Sequence, residues 1–196
     1  MAEKHLTQHG TTTTGRAGPV TMPGEGRDFI GDVLVPGIVT GLIGGTLMML
    51  VYGFFCLGKG DGFWAPFKEI SSLIFRGAHL RDLGAGAALI GILIHYNVSI
   101  ALATTWAAML PRNLGDTQFG VTGLALFYAS LVFVLMTLLI VPTTSPLFAH
   151  QMYGTIFWLC HLIWGAVIAF VPQVRRTHYQ FKQRMPVFLR RPVTVY

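Results

Sequence analysis

Two histidines, His95 and His161, lie in the middle of long uncharged apolar stretches. Imidazole at membrane depth can ligate a metal or a haem iron, pass a proton or hold a buried hydrogen bond, and a polar group there is a candidate functional site by default. On helical spacing His95 shares a face with Ala87, Gly91, Ser99 and Ala103, at four-residue intervals. His161 lies eleven residues from His150, about three helical turns, which places Gly154 and Gly165 on the same face. Counted from the starts of their stretches, His95 comes 11 residues after Gly84 and His161 comes 10 after Gln151, so their depths agree within about 1.5 Å if the two helices run in the same direction. Counted toward Pro111 and Pro172 the intervals are 16 and 11 residues, a mismatch of about 7 Å.

Two histidines at one depth, each on a small-residue stripe, could supply both axial ligands of a single b-type haem, because a macrocycle needs small neighbours to enter between helices. The plainer alternative is that each imidazole bonds Ser99 or a backbone carbonyl. A two-haem arrangement is excluded, because the first and third apolar stretches contain no histidine. His79 and His150 could approach each other, yet no carboxylate or cysteine completes a zinc or copper set around them. Ser99 stands four residues from His95 without an orienting carboxylate, so the pair reads as a hydrogen bond and not as a nucleophile and base. Within the apolar stretches no acid suggests a proton relay, and Cys56 and Cys160 read as small packing residues.

The elements that must position these residues are plain. Stretches at about 34–57, 84–110, 119–141 and 151–171 hold no Asp, Glu, Lys or Arg, and each is long enough for a hydrocarbon core that takes roughly 20 helical residues to cross. Lipid offers backbone amides no partner, so such stretches become helices. With 53% hydrophobic and 11% charged residues among 196, the chain is far from the composition of a water-soluble domain. The expectation is an all-α integral membrane domain over 34–172, a four-helix bundle with a polar tail at 1–33 and a basic tail at 173–196. Residues 1–33 contain no apolar core suited to a cleaved leader, so the first helix is expected to be an uncleaved anchor.

The surplus behind the net charge of +6 sits at the carboxyl end, where Arg175, Arg176, Lys182, Arg184, Arg190 and Arg191 occur without an acid. The positive-inside rule puts that tail in the cytoplasm, at an anionic lipid surface, and four crossings return the amino tail to the same side. Nucleic acid is not the expected partner, because the basic run begins directly after a membrane helix.

Between the first two spans, Trp64, Phe67, Ile70, Leu73, Ile74 and Gly77 recur at three- and four-residue spacings among Lys68, Glu69 and Arg76. This predicts an extracytoplasmic amphipathic helix at about 64–77, with Trp64 and Phe67 anchoring it at headgroup level. The first helix carries Gly37, Gly41 and Gly45 at four-residue intervals, a face that admits close approach of another helix within the bundle or from another subunit. Gly91, Ser99 and Gly165 extend that small-residue packing to the second and fourth helices. The prolines of the third loop, Pro142 and Pro146, are expected to end the third helix. Each half of the chain repeats a helix without histidine, a Pro-containing loop and a helix with a central histidine, a parallel repeat.

The Gly-rich segment from Gly37 to Met49, the Gly-Asp-Gly-Phe-Trp-Ala-Pro turn from Gly60 to Pro66, the run from Gly91 to Ser99 with its histidine, and the Tyr153-Gly154 step together resemble small bacterial inner-membrane proteins of unknown function, of the YagU type, over roughly residues 35–172. The resemblance implies a multi-pass protein of the bacterial inner membrane and carries no chemistry with it. The functional expectation is a non-catalytic accessory subunit of a larger membrane complex, an energy-converting or respiratory one among the candidates, bound to other membrane subunits and to anionic lipid. The competing expectation is a haem b electron-transfer anchor built on His95 and His161.

Overall fold

The computed structural model describes residues 28–74, 84–111, 118–144, 149 and 152–184. Four helical spans among them are long and apolar enough to cross a membrane, and the protein is an all-α, multi-pass four-helix membrane bundle. Span one is α1, Ile30–Lys59, followed by the short α2, Ala65–Ser71. Span two is α3, Ala85–Met109, and span three is α4, Gln118–Thr144. Span four comprises α5, Gly154–Ile168, and α6, Val171–Arg184, separated by a turn at Ala169 and Phe170. His79, His150, Arg76, Gly77, Pro146, Arg190 and Arg191 lie outside the described residues.

The helices outrun the apolar stretches that predict them. The first begins at Ile30, so Asp32 belongs to the bundle and not to a polar tail, and the last continues through a charged segment to Arg184. Pro142 does not end α4, because the helix runs on to Thr144. The reason lies just upstream. Met136–Ile140 forms a wide turn in which the Val141 amide reaches back five residues to the Met136 carbonyl, and Ile30–Leu34 does the same before Pro36. Proline removes one amide donor and crowds the carbonyl four residues back. A widened turn placed ahead of each proline lets the helix absorb both effects.

The closest helix packing runs in the order α3, α1, α5, α4, with α2 lying on α3. Glycines make these approaches possible. A Cβ on Gly37 would stand 2.5 Å from Thr104 Cα, one on Gly41 2.8 Å from Ile100 Cα, and one on Gly45 2.9 Å from Ser99 Oγ. The stripe on α1 is thus covered by α3 and is not an open face for another subunit. Gly165 does the same between α5 and α4, 2.7 Å from Ala129 Cβ, while a Cβ on Gly91 would overlap the Phe67 carbonyl of α2. Gly60 and Gly62, with φ of 89° and 90°, occupy the left-handed region that side chains resist; they turn the chain from α1 into α2. On its outer side α4 presents Phe119, Leu124, Phe127, Leu131 and Leu138, an apolar face suited to hydrocarbon.

Candidate functional site

The structure brings His95 and His161 to one cavity of about 110 Å³, bounded by α1, the end of α2, α3, α4 and α5. Its walls are almost wholly apolar, with Met48 and Met49 from α1, Val98 and Leu102 from α3, and Val132 and Met136 from α4 among them. The widened turn of α4 contributes Met136 and Ile140, so the same proline-driven irregularity that prolongs the helix also shapes the cavity wall. Toward the end where α1 begins, α3 and α4 are joined by Tyr128, whose hydroxyl donates to the Leu102 carbonyl at 3.1 Å and whose ring stacks on Trp106. Val98, on the cavity wall, is 38% exposed on the outside of α3.

The polar atoms around the cavity serve mainly to hold helices together. Ser99 Oγ donates to the Gly41 carbonyl at 2.7 Å and accepts from Trp164 Nε1 at 2.9 Å, joining α1, α3 and α5 through one hydroxyl. His95 Nε2 and the Gly45 carbonyl are 3.1 Å apart, and His161 Nδ1 and the Phe157 carbonyl 2.8 Å apart. A carbonyl only accepts, so each of these nitrogens carries the proton and donates. The Phe133 and Phe157 rings lie against His161 with centroids 5.7 and 4.5 Å away.

These residues do not fit a haem. The cavity holds a small fraction of a porphyrin's bulk, and His95 has committed Nε2 to Gly45. Spacing and depth put the two histidines together correctly as neighbours of one space. They could not show that each nitrogen facing a backbone carbonyl was already engaged.

At the mouth of this region α2 contributes two residues that the spacing pattern misplaces. Phe67 is 5% exposed, packed against α3 instead of anchoring at headgroup level, whereas Trp64 is 53% exposed. Glu69, grouped by its sequence with the solvated face, is 4% exposed. Its Oε2 accepts from the Tyr52 hydroxyl at 3.4 Å. Burial pushes the Glu69 carboxyl up to about 8, the Tyr52 hydrogen bond opposes that, and the charge of Asp61 adds to it. Asp61 itself accepts from the Tyr153 hydroxyl at 3.0 Å, which ties the α1–α2 turn to the start of α5 and raises the Tyr153 phenol from its ordinary value. Helix α2 is too short for periodicity to betray which of its polar residues faces inward.

The opposite end of the bundle is built on a different principle. Arg175 is 2% exposed and therefore is not a lipid-facing residue. Its guanidinium donates to the Asp32 carbonyl at 2.6 Å, to Ala107 at 2.5 Å and to Leu110 at 3.3 Å. Carbonyls at the end of α3 lack helical partners and carry the negative end of its dipole, so a buried fork-shaped cation completes that helix. Asp32, fully buried, accepts from the Tyr179 hydroxyl at 2.9 Å, and Lys182 pairs with Asp28 at 3.6 Å. Arg176 and Arg184 lie on the exposed side of α6. A four-residue stripe, Val171, Arg175 and Tyr179, was the available sign that one face of this basic segment turns inward.

No protein-family model, curated protein or solved structure matches this chain. The fold and its sites define a four-helix, multi-pass membrane protein with an internal apolar cavity toward the α2 end and one buried, carbonyl-bound arginine at the other.

Proposed function

We propose that the protein is a non-catalytic accessory subunit of a larger membrane complex in the bacterial inner membrane, with both termini cytoplasmic. The observation that carries this reading is α6. It is locked at its base by Arg175, Tyr179 and Asp32 and presents Arg176, Phe181 and Arg184 outward, with Phe181 62% exposed. A rigid amphipathic helix with a basic, aromatic outer side suits contact with another subunit or with anionic headgroups. The buried polar groups of the bundle support the same reading, since Ser99, His95, Trp106 and Arg175 are engaged with backbone carbonyls of neighbouring helices.

The test is extraction of native membranes in mild detergent followed by native electrophoresis. Migration in an assembly well above 21.5 kDa that is lost on Phe181→Glu is the expected outcome. A monodisperse monomer overturns the proposal.

A further inference from the structure

The nitrogen of His161 that does not face Phe157 has no hydrogen-bond partner among the described residues, although the side chain is only 5% exposed. Because Nδ1 donates back to the carbonyl one turn earlier on the same helix, Nε2 lies on the ring edge away from that carbonyl, in a side chain that lines the cavity. A charged imidazolium there would lack a counter-ion in an apolar setting, so the neutral ring leaves Nε2 as a bare acceptor. An acceptor in hydrocarbon is costly until a donor reaches it. The cavity measures about 110 Å³, somewhat less than the apolar cavity of about 150 Å³ that takes benzene, and the three flexible methionines in its walls, Met48, Met49 and Met136, can give way to admit one six-membered ring.

We propose that this cavity is a binding site for a lipid-soluble phenol, the class that includes long-tailed hydroquinones, with the ring among the methionines, the hydroxyl donating to His161 Nε2 and the tail leaving past Val98 into the bilayer. The acceptor-only imidazole selects the hydroxylated ring over a bare hydrocarbon. An acyl chain would fill the space without using the nitrogen.

The experiment measures saturable binding of radiolabelled 4-hexylphenol and hexylbenzene to the full chain in lipid nanodiscs, with empty discs subtracted. The expected result is a preference of about fivefold for the phenol, the net value of one neutral hydrogen bond, which falls to about one in His161→Phe. Val132→Phe, which fills the cavity, is expected to abolish saturable binding of both probes and keeps the test in force should the histidine variant not fold. Equal affinities in the unaltered protein, absence of saturable binding, a preference that survives His161→Phe, or phenol binding that survives Val132→Phe each overturn the proposal.

Discussion

The two ends of the bundle solve the problem of burying polar groups in opposite ways. At the end where α1 begins, a full charge is taken inside and surrounded: Arg175 meets carbonyls from the start of α1 and the end of α3, and Asp32 beside it accepts from Tyr179. At the α2 end, the carboxyl of Glu69 is buried with one hydroxyl partner, Tyr52, at 3.4 Å and is driven toward its neutral form. A densely satisfied charge fixes structure. A thinly satisfied one ties stability to pH.

The sharpest way to break this contrast is Arg175→Ala. It leaves the buried Asp32 carbonyl and the terminal carbonyls of α3 without their donor, and at about 1–3 kcal/mol for each buried acceptor the expected loss is about 3–5 kcal/mol, read as a collapse of the unfolding midpoint in mixed micelles. A loss under about 1 kcal/mol would mean the cluster is decorative. Next in size is Gly91→Ala, whose Cβ overlaps the Phe67 carbonyl. The expected cost is about 1–3 kcal/mol, with α2 lifted from α3 and new protease cleavage at Lys68, while α6 keeps its protection.

Glu69 supplies the test by pH. Its carboxyl, raised in the fold from 4.5 to about 8, holds a proton that the unfolded chain has already released, so stability is fullest below pH about 4.5. It declines as pH rises through that window and levels off above about 8, with a slope of at most about 1.4 kcal/mol per pH unit. Glu69→Gln is expected to flatten the profile and to make the variant the more stable protein at pH 9. An unchanged slope would remove Glu69 from the account. The smallest effect expected is that of Ser99→Ala, which takes one hydroxyl from the junction of three helices at about 1 kcal/mol and shifts the emission of Trp164 as its indole loses its acceptor.

The asymmetry between the ends was only partly visible in the chain. Long uncharged stretches announced four spans because hydrocarbon tolerates little else, and the glycine intervals on the first helix announced a close helix contact because only a missing side chain permits one. The same reasoning misread Asp32, Glu69, Phe67 and Arg175. Each was assigned by charge or by amphipathic rhythm to a surface, yet each is buried.

What the amino-acid order determined by itself, then, was the class of structure: composition and the length of apolar runs leave a helical membrane bundle as the state that satisfies the backbone. Which faces of those helices meet, and so which polar atoms become partners, was decided by tertiary packing alone. His95 and His161 reach one cavity because α1 sits between α3 and α5, and Arg175 reaches Asp32 because the last helix returns to the first across 143 residues of chain. Burial of a charge depends on whether distant partners arrive to meet it, and no local rhythm of residues encodes that arrival.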